Sequence, residues 1–248
     1  MWGLMIKAKI LSLILVLLLC FSVHAGQQTC AGTHGDSYSI PSVEDIDTDW
    51  TDADPGDDMT ANDTTITMTA LSTRDTDSWW YKDFGANYFD GDFQIYLDFY
   101  LTTIGDLSYI YVGVTDYIDD ADYIDDNNKN LIGFRHYRST PDTSLTLREI
   151  YNSSLNSGGT LASGDTQYYI SLYRDDDAGG GTAYLKVYIS DADRTNGANE
   201  VLDTTLALSA AVTGLRYLMA PVTVNQGGTY TITGTISNIR VANYIWNP

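Results

Sequence analysis

The residues best suited to chemistry are aspartates, and they are most concentrated in the stretch DYIDDADYIDD, residues 116–126. The unit DYIDDA is followed directly by DYIDD from a second copy. A calcium ion binds about six to eight oxygens from carboxylates, amides and backbone carbonyls. The carboxylates that could ligate it here are Asp119, Asp120, Asp122, Asp125 and Asp126. The alternative is a solvated loop whose carboxylates simply face water.

A second acidic segment, FDGD at 89–92, offers Asp90 and Asp92 as oxygen ligands, and DADPGDD at 52–58 offers others. None of the acidic stretches has the D-x-D-x-D-G spacing of an EF-hand. Calcium is therefore the cofactor that the sequence favours, with plain surface as the alternative at each place.

Tyrosine recurs on one side of several segments in which apolar and polar residues alternate. Sugars stack their C–H groups on aromatic rings, while acidic, amide and guanidinium groups bond the hydroxyls. The predicted carbohydrate-binding residues are Tyr96, Tyr111, Arg135, Tyr137, Tyr169 and Tyr173. The alternative is that tyrosine is frequent only because it is favoured in strands.

The sequence has few histidine and cysteine residues that could serve as nucleophiles, bases or zinc ligands. After the first 25 residues the chain has two histidines, His34 and His136, and one thiol, Cys30. There is no G-x-S-x-G motif and no phosphate-binding loop. In RHY, residues 135–137, adjacent side chains point to opposite faces of a strand, so His136 is expected to lie apart from Arg135 and Tyr137.

The chain begins like an exported protein. Lys7 and Lys9 precede an apolar run that ends in the small-residue pattern of 23–25, which predicts a signal peptide over residues 1–25. The expected location is secreted and extracellular, or periplasmic in a Gram-negative bacterium, without membrane insertion after cleavage. Cys30 is then the only thiol left, and it could link two chains.

Charge narrows the choice of partners. The chain has 33 acidic and 13 basic residues, a formal net charge of −20. Nucleic acid is not expected as a partner, because its binding relies on clustered basic residues. All acids except Glu44, Glu149 and Glu200 are aspartates, which favour turns over helices.

The elements that must position these groups are strands. In FQIYLDFYL, 93–101, apolar residues alternate with polar ones and with tyrosine, which predicts a half-buried strand. Further strands are predicted over 64–70, 108–115, 131–138, 144–151, 167–173, 183–190, 216–224 and 230–244, with a bulge near Ser237 and Asn238. Turn signals separate them, as in NSSLNSGG at 152–159, and 202–212 is expected to form at most a helical turn.

The order of these pieces resembles the concanavalin A-like lectin and glucanase superfamily, including its laminin-G-like branch. The resemblance covers about residues 48–245 and rests on DTDW, FDGDFQIYLDFYL, YIYVGVTDY, the pair QYYISLYR and AYLKVYIS, and the closing ITGTISNIRVANY. It implies an all-β, two-sheet antiparallel jelly-roll sandwich over residues 48–248, preceded by a polar arm at 26–47. It also implies carbohydrate as a frequent ligand and calcium as a frequent ion.

The glucanase side of the resemblance implies the motif E-x-D-x-x-E, which places two carboxylates for glycoside hydrolysis. This chain lacks the motif, and Glu149 beside Arg148 is interpreted as a salt-bridged surface residue. The sequence thus favours a secreted, non-catalytic carbohydrate-binding domain with a polysaccharide or glycan as partner. The alternatives are a structural or adhesive surface protein that self-associates, and a polysaccharide-degrading enzyme without the usual glutamates.

Overall fold

The computed structural model describes residues 41–74, 77–162, 166–176, 181–209, 212–224 and 226–244. The predicted signal peptide, Cys30 and most of the predicted arm lie outside these residues. The described strands are, in chain order, β1 (Thr51–Ala53), β2 (Met59–Asn62), β3 (Thr65–Ser72), β4 (Trp79–Asp83), β5 (Phe93–Ile104), β6 (Tyr109–Thr115), β7 (Leu131–Ser139), β8 (Asp142–Tyr151), β9 (Ser154–Ala162), β10 (Tyr168–Asp175), β11 (Thr182–Tyr188), β12 (Leu202–Ala207), β13 (Tyr217–Val222) and β14 (Thr231–Ala242). Three short helices are described: α1 (Ile46–Asp49), α2 (Ala121–Asp126) and α3 (Asp191–Asn196).

The strands form two seven-stranded antiparallel sheets packed face to face. The front sheet has the order β1-β4-β13-β6-β7-β8-β9, and the back sheet has the order β12-β11-β10-β5-β14-β3-β2. The front face is the surface of the front sheet that points away from the back sheet. The back face is the surface of the back sheet that points away from the front sheet. The predicted all-β antiparallel sandwich is confirmed, and every predicted strand is present. No helix among the described residues is long and apolar enough to span a membrane.

Strand alternation builds the core between the sheets. On β5 the apolar residues Phe93, Ile95, Leu97, Phe99 and Leu101 all point inward and are at most 2% exposed. At about 25 cal/mol per Å² of apolar area removed from water, these side chains are a main source of stability. The opposite side of β5 is also covered near its middle, where Tyr96 is only 3% exposed. The strand is thus more deeply buried than the half-buried strand that the sequence predicted.

The predicted bulge in β14 is confirmed. The pairing of β14 with β5 shifts register between Ser237 and Arg240, and Asn238 has a φ of 54°. The extra residue turns the amide of Asn238 toward the Asp98 carboxylate, to which its Nδ2 donates at 2.7 Å.

Two sequence interpretations are corrected. The segment 202–212 was expected to form at most a helical turn, but it contains β12, an edge strand that pairs with β11. The segment 152–159 was predicted to form a turn, but most of β9 lies within it. The turn itself needs only Asn152 and Ser153, both at positive φ. Serine and glycine are tolerated in β9 because this edge approaches β12 closely: the Gly159 amide donates to Thr204 Oγ1 at 2.6 Å.

Glu149 is not the salt-bridged surface residue that the sequence suggested. It is fully buried, because on β8 it points inward with Leu145 and Leu147. Its carboxylate accepts hydrogen bonds from the Ser209 amide at 2.9 Å, from Ser209 Oγ at 2.7 Å and from Asn156 Nδ2 at 2.8 Å. It therefore ties the front sheet to the segment that follows β12 of the back sheet.

His136 lies between the sheets, apart from Arg135 and Tyr137, as strand alternation predicted. It is 1% exposed and its ring centroid lies 5.7 Å from that of Phe99. Burial lowers the pKa of His136 to about 4, so the imidazole is neutral at physiological pH and belongs to the core.

Replacing Glu149 by Gln keeps the shape of the side chain but removes a carboxylate acceptor from a buried set of donors. We expect Glu149→Gln to lower the free energy of unfolding by about 1–3 kcal/mol. The matched control is Glu200→Gln, because Glu200 forms a partly exposed ion pair with Lys186 at 3.2 Å, and its loss should cost less than about 1 kcal/mol. Urea denaturation at neutral pH measures both, and equal effects of the two substitutions would contradict the structural role of Glu149.

Candidate functional site

The front face carries the aromatic and basic side chains that could meet a ligand. The register of β4, β13, β6, β7 and β8 places alternate residues of neighbouring strands side by side on it. The large side chains that share this face are Trp79, Tyr81, Tyr109, Tyr111, Arg135, Tyr137, Arg148, Ile150, Tyr217 and Met219.

The acidic loop 116–130 covers one half of this face. Ile124 of α2 is fully buried and Ala121 is 3% exposed, and both pack against the front-face residues Leu131, Ile150 and Met219. The Ala121 amide also donates to the carbonyl oxygen of Thr223 at 3.1 Å, just beyond β13. Ile124, together with the partly buried Ile118 of the same cluster, thus anchors the loop. The tyrosines Tyr117 and Tyr123 are instead exposed and stack on each other at 5.8 Å.

Two glycines allow β6 and β7 to approach each other closely. Gly113 of β6 and Gly133 of β7 are direct cross-strand partners, and a Cβ atom on either would come within 2.8 Å of the Cα atom of the other. A Cβ atom on Gly113 would also clash with the Ile132 carbonyl oxygen, and one on Gly133 with the Val112 carbonyl oxygen. The backbone of the facing strand therefore requires glycine at both positions.

Most carboxylates of the loop already hold the local backbone. Asp120 caps α2, and its Oδ1 accepts from the amides of Asp122 at 2.8 Å and Tyr123 at 3.0 Å. Asp119 accepts from the Asp120 amide at 3.0 Å. Asp122 Oδ1 accepts from Gln226 Nε2 at 2.7 Å, which joins α2 to the segment after β13.

Asp125 and Asp126 follow on the same helix. One oxygen of Asp125 is buried without a hydrogen-bond partner. Burial raises the pKa of Asp125, and the neighbouring charges of Asp126 and Asp122 raise it further. The Asp125 carboxylate is close enough to Tyr111 to raise the pKa of that phenol, so it lies at the border of the front face.

Asp90 and Asp92 do not form a metal-binding cluster with the carboxylates of this loop among the described residues. Asp90 accepts from the amides of Gly214 at 2.9 Å and Leu215 at 2.8 Å, and Asp92 accepts from the Asp176 amide at 3.0 Å. Their charges act instead on Arg174, whose pKa is lowered by burial while these carboxylates oppose the shift.

The predicted calcium ligands do not form a metal-binding group in the part of the chain that the structure describes. No group of three or more acidic, histidine or cysteine side chains is placed there to hold a metal. The predicted ligands are divided between two places, and several of their oxygens accept hydrogen bonds from backbone amides. These aspartates therefore stabilise the turns and the helix cap in which they lie.

The uncovered half of the front face centres on Arg135. Its guanidinium lies over the ring of Tyr137 at 4.9 Å and near the ring of Tyr109 at 6.0 Å, and these two rings meet edge to face at 5.5 Å. The Tyr109 hydroxyl donates to Gln226 Oε1, and burial raises the pKa of Tyr109 to about 12. Tyr111 is 5% exposed and is the direct cross-strand partner of Arg135; burial raises the pKa of its phenol, and the nearby Arg135 guanidinium opposes that shift. Tyr109, Arg135 and Tyr137 remain partly exposed, so they are accessible to a ligand. We call these three residues together with Tyr111 the tyrosine-arginine patch.

The six predicted carbohydrate-binding residues do not share one face. Tyr111, Arg135 and Tyr137 lie on the front face, whereas Tyr96, Tyr169 and Tyr173 lie on the back face, on β5 and β10. The expectation of one continuous ligand face is corrected, because β5 and β10 belong to the sheet opposite β6 and β7.

The back-face tyrosines are largely engaged in structure. Arg194 of α3 lies over the rings of Tyr96 at 5.1 Å and Tyr169 at 5.4 Å. Arg194 is itself 5% exposed and pairs with Asp98 at 3.0 Å and with Asp191 at 2.6 Å, so its charge is balanced within the fold. Further along the same sheet, the ring of Tyr173 stacks on that of Tyr184 at 4.5 Å.

Comparison with solved structures identifies the architecture. The legume lectin-like domain from Entamoeba histolytica superposes with a TM-score of 0.55 at 7% identity, over 86% of this chain and 100% of that chain. The Emp47p carbohydrate recognition domain gives 0.54 at 11% identity, over 88% and 100%. The exoplasmic/lumenal domain of VIP36, in a form with Ca²⁺ and Man2 bound, gives 0.51 at 11% identity, over 83% and 88%. The chain has the concanavalin A-like fold. No family model matches the sequence, and no curated protein does.

Two residues of the open half of this concanavalin A-like domain were missed from the sequence. Trp79 lies in β4, a strand too short for its alternation to be recognised, and it packs on the front face beside Tyr81. Arg148 was interpreted as a partner of Glu149, but adjacent residues of β8 point to opposite faces. Strict alternation along SLTLREIY would have placed Arg148 on the same face as Arg135.

The capping role of Asp120 predicts a specific pattern of stability in the concanavalin A-like domain. Asparagine also caps helices, so Asp120→Asn should leave the free energy of unfolding almost unchanged, whereas Asp120→Ala should lower it by about 1 kcal/mol. Thermal denaturation in calcium and in EDTA measures both variants, and neither effect should depend on the metal. A loss of stability in Asp120→Asn seen only with calcium would show that this carboxylate is a metal ligand.

Proposed function

We propose that the protein is a secreted, non-catalytic carbohydrate-binding domain, and that it binds saccharide on the uncovered half of the front face. The binding residues are those of the tyrosine-arginine patch, Tyr109, Tyr111, Arg135 and Tyr137. The observation that carries the proposal is the partly exposed Arg135, whose guanidinium lies by the rings of Tyr109 and Tyr137 and which has Tyr111 as its cross-strand partner.

The chemistry of this patch suits a sugar. The rings of Tyr109 and Tyr137 offer apolar surface for the C–H groups of a pyranose, and aromatic contacts of this kind contribute without rigid hydrogen-bond geometry. Arg135 presents donors to the ring and hydroxyl oxygens. Since Tyr111 is buried and is the cross-strand partner of Arg135, its role is to support the arginine side chain rather than to stack on the ligand.

The acidic loop supplies acceptors along one border of the patch. Gln226 connects Tyr109 to Asp122, and the Asp125 carboxylate on the same helix adds electrostatically to the burial that raises the pKa of Tyr111. Carboxylates at such a border accept hydrogen bonds from sugar hydroxyls, which fixes the orientation of a stacked ring. In this proposal the acidic repeat forms one border of the binding site instead of a metal-binding loop.

The concanavalin A-like fold supports this proposal, because solved domains with the same fold include a carbohydrate recognition domain and a Man2-bound form. Export is proposed from the leader-like residues 1–25. The binding mode proposed here uses no calcium, since the described carboxylates are occupied by the backbone, by Gln226 or by the border role of Asp125.

A glycan panel with neutral and acidic saccharides, probed with and without EDTA, tests the proposal. We expect binding in both conditions, and Tyr137→Ala should weaken it at least about tenfold, the equivalent of one lost stacking contact of about 1.4 kcal/mol. Tyr173→Ala is the matched control, because Tyr173 is a partly exposed tyrosine on the back face. Absence of binding to the whole panel, or equal losses in the two variants, would contradict the proposal. Incubation with bound polysaccharides should release no shortened product.

A further inference from the structure

Two arginines of the front face lack a countercharge among the described residues. Arg135 of β7 is paired in register with Thr146 of β8, and Gly133 of β7 with Arg148 of β8. The two arginines are therefore diagonal neighbours on one face, a relation that places Cα atoms about 7–8 Å apart in an antiparallel sheet. Their partners in the register are a threonine and a glycine, which place no large side chain between the two arginines on β7 and β8.

No carboxylate of the described residues lies within ion-pair distance of either arginine. The ion pairs of that part of the chain are made by other cations, namely Lys82, Lys186, Arg194 and Arg216. Arg148 donates one hydrogen bond to Ser157 Oγ, and the guanidinium of Arg135 lies by the rings of Tyr109 and Tyr137. The Nε atoms of both arginines are buried without a hydrogen-bond partner.

This arrangement is costly for the isolated protein. Like charges on adjacent side chains repel each other, and the pKa of Arg148 is lowered first by burial and then by Arg135. A shortage of carboxylates is not the reason, because the chain has 33 acidic residues. An anion bound between the two guanidiniums would relieve the repulsion and satisfy their donors.

We propose that Arg135 and Arg148 bind the anionic group of an acidic saccharide, a carboxylate or a sulfate ester. The inference rests on the proposed function, and it names the class of sugar that the same site takes. Each guanidinium presents a planar fork of donors that matches two oxygens of such a group. The tyrosine rings beside Arg135 stack on the sugar that carries the anion.

The net charge of −20 makes this a demanding proposal. Long-range electrostatics repel a polyanion from an acidic protein. Nonspecific electrostatic attraction therefore cannot account for polyanion binding. Binding of an acidic polymer in EDTA, where no calcium can bridge two sets of carboxylates, requires a local cationic site.

Isothermal titration in EDTA provides the test, with polygalacturonate against its methyl ester and dextran sulfate against dextran. Each pair keeps the sugar and changes only the charge. We expect at least one charged polymer to bind about tenfold or more tightly than its neutral counterpart, and the pair that shows the preference identifies carboxylate or sulfate as the anion. Arg148→Gln should abolish the preference, and Arg135→Lys, which keeps the charge but loses the fork, should reduce it.

Arg216→Gln is the control, because it removes the same charge from a residue that is paired with Asp83 at 2.5 Å. It should leave the preference intact, with circular dichroism confirming that all variants fold. Equal binding of charged and neutral polymers, or equal losses in Arg148→Gln and Arg216→Gln, would overturn the inference while leaving carbohydrate binding in place. Binding to none of these polymers together with none of the glycan panel would overturn both.

Discussion

The burial of Ile124 against the front sheet is the contact on which the site depends. It holds the loop 116–130 against residues of β13, β6, β7 and β8, namely Met219, Tyr111, Leu131 and Ile150. One half of the front face is thereby removed from water. The other half stays open around Arg135, and the same helix carries Asp122 and Asp125 to its border. A purely solvated acidic loop would have no reason to place two isoleucines of the repeat against the sheet.

Several described aspartates have the same structural use, which is to accept hydrogen bonds from nearby backbone and hydroxyl groups. Asp54 accepts from the Met59 amide at 2.6 Å and from Ser78 Oγ at 2.9 Å, as Asp90 and Asp120 accept from backbone amides elsewhere. Because these carboxylates are distributed over turns and caps, they do not neutralise the arginines of the front face. A strongly acidic chain can therefore carry the basic tyrosine-arginine patch on its front face.

Much of the fold was predictable because it follows from local alternation. The pattern of FQIYLDFYL predicted β5, and the spacing in the last strand predicted its bulge. The sheet to which a strand belongs is not a local property, so Tyr96 and Tyr111 could not be separated from the sequence. Glu149 was misplaced for a related reason: the donors that stabilise its buried charge, Ser209 and Asn156, are supplied by other segments of the chain. Calcium was favoured because the density of aspartates is visible in the sequence, whereas their backbone partners are not.

Ligand binding on the uncovered half of the front face can be followed through the arginine Nε–H resonances of the labelled protein, in NMR spectra recorded during titration with oligogalacturonate. We expect the signals of Arg135 and Arg148 to shift together with the amides of β6 and β7, while those of Arg174 and Arg194 stay in place. Shifts confined to Arg194 and the amides of β10 and β11 would instead place the ligand on the back face.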